Sequence, residues 1–314
     1  MSEARAQEQQ AESARPAEPA IRSFRDLLRI EELDKNLFRG SCHAGAPLRA
    51  FGGQVAAQAL TAGGRTLDEE RAVHSLHGYF LRPGDPSRPI IYEVERIRDG
   101  HSYATRRVTA VQQGEVIFTL SASFKRPEEA GDRRPSMPPV PGPEELTNPF
   151  LAAREHPEPQ DAGDPSEGFH SLDIRFIPAD APGVPPEVPG IPQQYVWLRS
   201  VSPLPADDQL LQVCALTYLS DLTLASTTAL HLQQSFFQRT EPPAITLASL
   251  DHAMWFHRPF RADEWLLFAQ RSPSAADGRG LALGEFYDRE GVLVASAVQE
   301  TLLRERRPKR SARS

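Results

Sequence analysis

The chain has 314 residues, 39% hydrophobic and 25% charged, with a formal net charge of −7. That apolar content can bury a large core, in two domains or one duplicated unit, and the negative balance argues against a nucleic-acid surface. Cys42 and Cys214 are the only cysteines, too few and too isolated for a disulfide framework or a zinc site, which suits a reducing compartment.

Residues 1–22 are mostly Ala, Glu, Gln and Arg. They predict a disordered tail that is neither a signal peptide nor an anchor. No later stretch reaches the ~20 apolar residues of a membrane helix, so a cytoplasmic protein without membrane contact is expected. Order begins near Ser23, and Phe51-Gly52-Gly53-Gln54 opens an Ala-rich helix that other backbone can approach closely. Alternating apolar residues predict strands over 89–98, 101–112 and 115–124, punctuated by Asp99-Gly100 and Gln113-Gly114. Residues 127–192 are dense in Pro, Gly and acidic residues and read as a connector, with a short strand possible over 169–177. A strand over 194–199 follows. Asp207-Asp208 then lead a helix from 209 to about 224 whose Leu, Val, Cys and Tyr content is that of a buried helix. Strands are predicted over 264–270, 280–287 and 292–302, before a basic tail over 304–314.

Each half thus reads as one long helix and a curved antiparallel sheet. The segments Ser75-Leu76-His77-Gly78-Tyr79-Phe80-Leu81-Arg82-Pro83 and Ser249-Leu250-Asp251-His252-Ala253-Met254-Trp255-Phe256-His257-Arg258-Pro259 look like diverged copies. A duplication implies a pseudo-twofold core with a single working site near the seam.

Three residues break the apolar pattern where chemistry is plausible. Asp221 lies late in the apolar helix, where a carboxylate is partnered, exposed as a local cap, or functional. Gln299 shares a face of the last strand with Leu293, Ala295 and Ala297, so its amide points inward or turns to water at the strand end. Ser249 stands ahead of an aromatic run, a position that is also ordinary for a structural Ser. His252 and His257 lack a third ligand at metal spacing, and no Gly-x-Ser-x-Gly elbow is present. They read as packed or hydrogen-bonded structural residues.

Several long motifs in one order carry a resemblance. Phe51-Gly52-Gly53-Gln54, Val73-His74-Ser75-Leu76-His77-Gly78-Tyr79-Phe80-Leu81-Arg82-Pro83-Gly84-Asp85, Arg98-Asp99-Gly100, Asp251 to Pro259 and Gly291-Val292-Leu293-Val294-Ala295-Ser296 closely resemble the acyl-CoA thioesterase II family, the double hot-dog enzymes. The match runs from about 23 to 303 and is weakest in the connector. The resemblance implies an α+β fold of two fused hot-dog domains, 23–126 and 193–303, whose two curved antiparallel sheets join around central helices. It also implies hydrolysis of fatty acyl-CoA to free acid and CoA by an oriented water. By resemblance the water-activating residues are Asp221, Ser249 and Gln299. Thr is the more expected hydroxyl, and Ser249 lacks the methyl that would restrict its rotamer.

On this reading Gly52 and Gly53 offer oxyanion amides, and Arg82, Arg98, Arg106 and Arg107 are candidates for the CoA phosphates. No metal or cofactor is expected. The partners expected are acyl-CoA and further copies of the chain, as a dimer or tetramer, with no nucleic acid. Laying Ser75 on Ser249 puts a serine opposite a serine, and laying Ser121-Ala122 on Ser296-Ala297 puts Phe124 opposite Gln299. The first helix has no carboxylate like Asp221, so one working site per chain is predicted. Two alternatives stay open: a non-catalytic acyl-CoA-binding sensor of the same fold, and a hot-dog enoyl-CoA hydratase, whose Asp-x-Asn-Pro-x-His pattern is not found.

Overall fold

The computed structural model describes residues 23–42, 49–68, 70–149, 171–232 and 245–305. The expected tail over 1–22, and residues 306–314 of the expected basic tail, lie outside the described residues. The first unit runs α1 (Phe24–Leu27), β1 (Ile30–Asp34), β2 (Leu37–Gly40), α2 (Gly52–Gly64), β3 (Ala72–Phe80), β4 (Ile90–Asp99), β5 (Tyr103–Gln112) and β6 (Glu115–Lys125). The second runs β7 (Leu172–Ile177), β8 (Gln193–Ser200), α3 (Gln209–Ser220), α4 (Leu224–Thr227), β9 (Ile245–Ser249), β10 (Asp251–Phe256), β11 (Leu266–Ala276), β12 (Arg279–Tyr287) and β13 (Leu293–Glu305).

The alternation read from the sequence is the one the strands use. In β6, Leu120, Ala122 and Phe124 turn into the core while Ser121 faces out. All thirteen strands form one antiparallel sheet, ordered β1-β2-β4-β5-β6-β3 and then β10-β13-β12-β11-β8-β7, with β9 also on β13. The order is the same read inward from either end, which is the pseudo-twofold expected of a duplication. The two expected sheets are therefore continuous. They join where β3 pairs with β10, from Tyr79↔Asp251 to Ser75↔Trp255. Helices α2 and α3 pack against one another on the inner face. Val213 through Ser220 are all buried, so α3 is covered on every side. Among the described residues, no helix is long and apolar enough to cross a membrane.

The hydrogen bonds fix the internal alignment. Leu81 and Arg82 both donate to the Ile117 carbonyl, and His257 and Arg258 both donate to that of Val294. Counting along the strands from these points, Val73 corresponds to Ser249 and Ala122 to Gln299. The pairs Val73↔Phe124 in β3–β6 and Ser249↔Thr301 in β9–β13 fall in the same register. The alignment expected from sequence, Ser75 on Ser249 and Phe124 on Gln299, is therefore shifted by two residues. A shift of two preserves side-chain facing, so alternation alone does not reveal it. The helix C-caps are Arg65 and Asp221. Arg65, Val73 and Ala122 thus occupy the positions of Asp221, Ser249 and Gln299.

The short strand expected over 169–177 is present in the stretch read as a connector. β7 lies within it and pairs with β8, as β1 pairs with β2. Residues 132–146 cross the outer face of the second unit. Trp197 Nε1 donates to the Pro141 carbonyl at 2.8 Å and Arg175 to that of Pro143 at 2.7 Å. Arg258 pairs with Asp132 and Arg289 with Glu144. Met137, Val140 and Leu146 cover Trp197, Trp265, Leu267 and Tyr287.

Candidate active site

Asp221 ends α3 as its C-cap, and the chain then turns into α4. The N-terminus of α2 lies directly against it. A methyl group on Gly52 would fall 2.8 Å from Asp221 Oδ2, and one on Gly53 would fall 2.7 Å from the Tyr218 carbonyl oxygen. The two glycines are what let the helices approach this closely. Asp221 thereby gains a hydrogen bond from the Gly53 amide and the positive end of α2, which offsets its unfavourable place at the negative end of α3.

Across the core, Gln299 Nε2 on β13 donates to Asp221 Oδ1 at 2.6 Å. Ser249 Oγ at the end of β9 lies 3.5 Å from the same oxygen, at the limit of a hydrogen bond. Asp221 is 8% exposed and Gln299 fully buried. Burial raises the Asp221 carboxyl to about 6, against the opposing pull of Gln299, Gly53 and Ser249. Gln299 Oε1 is buried and has no hydrogen-bond partner among the described residues. One acceptor is thus left over in a site that already holds a carboxylate. The three residues singled out in the sequence converge from a helix end and two strands.

The remaining candidates divide. Gly53 spends its amide on Asp221. Arg106 is 1% exposed, contrary to the expectation of a surface arginine, because it alternates inward on β5 with Ala104 and Val108. Its guanidinium is consumed by Asp99, the Thr66 hydroxyl and the Arg98 carbonyl. It is a structural residue that cannot reach a phosphate. Arg98 and Arg107 are exposed on β4 and β5, with β6 and β3 between them and the seam. Arg82 is exposed just after seam strand β3 and pairs with Glu115. His257 sits at the surface against Ser296 Oγ. His252 is buried, with Nε2 2.7 Å from Ser220 Oγ, and burial lowers it to about 4. Two surface cavities of about 290 and 240 Å³ lie beside Trp265 and beneath Pro138, away from Asp221.

Replacing Gly53 with Ala should push α2 from the Tyr218 backbone, costing about 1–3 kcal/mol, and draw the amide off Asp221. The denaturation midpoint and kcat should fall together.

A sheet curved around a buried central helix, repeated and fused along one edge strand, makes this a double hot-dog protein of the thioesterase class. Models of the acyl-CoA thioesterase N-terminal and C-terminal domains match residues 41–125 and 148–303. Acyl-coenzyme A thioesterase 8 of Rattus norvegicus is 36% identical over 287 residues, 88% of each chain. Acyl-CoA thioesterase 2 of Haemophilus influenzae is 35% identical over 88% of this chain and 96% of its own. The crystal structure of an acyl-CoA thioesterase II from Mycobacterium marinum is 43% identical with a TM-score of 0.74, covering 90% of this chain and 99% of that one. The chain belongs to the acyl-CoA thioesterase family.

Proposed function

We propose that this acyl-CoA thioesterase hydrolyses its thioester by direct attack of water, with Asp221 as the general base. The observation that carries the assignment is a buried carboxylate, raised to about 6, held by Gln299 and the Gly53 amide. Asp221 takes a proton from a water whose second hydrogen is accepted by Gln299 Oε1, and Ser249 fixes its direction. The water oxygen bonds to the carbonyl carbon, the C–S bond then breaks, and the proton held by Asp221 passes to the departing CoA sulfur. Free acid and CoA thiol result, with no acyl-enzyme. Because Gly53 is engaged by Asp221, the oxyanion role falls to the Gly52 amide, at the start of α2. Arg82 is the favoured contact for the CoA phosphates. The two units extend over 23–126 and from β7 to 303, with a single site made at their seam, since the first unit has Arg65, Val73 and Ala122 in place of the three residues. The two cysteines are both buried, which fits a cytoplasmic enzyme of fatty-acid metabolism, assembled as a homo-oligomer.

The test is release of CoA thiol from acyl-CoAs of short to long chain across a pH series. A base must be ionised, so kcat/KM should rise about tenfold per unit below pH 6 and level off above it. Tight acyl-CoA binding without release would indicate the sensor reading instead.

A further inference from the structure

We propose that His252 is a positioning residue for hydrolysis, acting through Ser220 to hold the helix end from which Asp221 projects. This rests on the assignment of Asp221 as the base. His252 is 1% exposed on β10, and its Nε2 lies 2.7 Å from Ser220 Oγ. Ser220 is the last residue of α3, immediately before Asp221. The Ser220 hydroxyl donates to the Thr217 carbonyl at 2.8 Å. Its oxygen therefore accepts from the Nε2 hydrogen, which fixes the tautomer and leaves Nδ1 as the bare acceptor. Nδ1 is buried without a hydrogen-bond partner among the described residues. Met254 Sδ lies 3.2 Å from the same hydroxyl and closes its other side. Ala253 pairs with Val298, so His252 is also the cross-strand neighbour of Gln299. One ring borders both the turn that carries Asp221 and the strand that carries Gln299.

The first unit supplies the control. Counting from the alignment fixed by the strand hydrogen bonds, His252 corresponds to Leu76, and counting back from the helix C-caps Ser220 corresponds to Gly64. Leu76 is completely buried, so packing at this point of the fold is met by an aliphatic side chain. The polar link occurs only in the unit that carries Asp221 and Gln299. A neutral imidazole suits the task, because it holds a hydroxyl by direction without placing a cation beside the base.

His252→Leu installs what the first unit has. Its kcat should fall on the order of 10- to 100-fold, the cost of a slightly misplaced reacting group, while KM for acyl-CoA stays within about twofold. Ser220→Ala should give a similar fall, and the double variant should be no slower than the slower single, since both act in one chain of contacts. His252→Gln, whose amide nitrogen reaches near the Nε2 position, should recover most of the rate. Wild-type kcat in His252→Leu would overturn the proposal, as would losses that multiply in the double variant. If His252→Leu does not fold, unchanged kcat in Ser220→Ala overturns it. Asp221→Asn in the same assay separates the two levels: turnover that survives there overturns the base assignment and the positioning role with it, whereas its collapse beside unaffected His252 and Ser220 variants removes the positioning role alone.

Discussion

Asp221→Asn should lower kcat by roughly 10²- to 10⁴-fold, the usual contribution of a positioned base, and at the same time raise thermal stability at neutral pH. The two effects have one origin. Burial is the main cause that raises the carboxyl to about 6 in the folded chain, against 3.8 for a free aspartate side chain. A carboxyl raised on folding binds more protons in the folded state than in the unfolded one between those values, so stability declines as pH rises through that window and stays lower above it. The difference corresponds to about 3 kcal/mol as an upper figure, at 1.36 kcal/mol per unit. An amide of the same shape keeps one oxygen to accept from Gln299 and never ionises. Melting curves at pH 5 and at pH 8 check this: the gain should be larger at the higher pH. A variant that loses both activity and stability would mean that the carboxylate is structural.

Gln299→Glu should be nearly as damaging at neutral pH, for a different reason. Gln299 Nε2 stands 2.6 Å from Asp221 Oδ1. A second carboxyl at that distance cannot ionise together with the first, so the pair shares a proton and its second ionisation moves well above the carboxylate range. The acid limb of kcat/KM should move up by about 2 units or more. Activity lost at neutral pH should return in part under alkaline conditions. Gln299→Leu, which removes both the donor and the acceptor without adding a charge, should give a loss that alkali does not reverse. If both variants show the same pH profile, the amide contributes packing rather than hydrogen bonding.

Much of this was legible in the chain itself. The strands announce themselves by alternation, and α3 by its unbroken apolar content. The family resemblance singled out Asp221, Ser249 and Gln299, which the fold brings together around one carboxylate oxygen. Four features were not legible, each for a physical reason. Arg106 reads as a surface cation because charge sets the expectation, yet its inward register on β5 decides its fate. The internal alignment slipped by two residues because a strand shifted by two looks unchanged in its facing. The Gly53 amide was expected to serve an oxyanion, and only the close packing of α2 on α3 shows that it is already engaged. The link from His252 to Ser220 crosses 32 positions of sequence, and no local pattern marks it.

The site takes its amide from the start of α2 in one unit and its carboxylate, hydroxyl and carboxamide from the other. Neither half holds all four groups. In an assembly of identical subunits every substitution appears on both sides of the axis, so a change that helps one face is imposed on its mate. A fused chain escapes that symmetry. Arg65 can serve as a surface cation where its counterpart is the buried carboxylate Asp221, and Ala122 can fill space where its counterpart is the carboxamide of Gln299. The covalent join is what allowed the two copies to divide their labour.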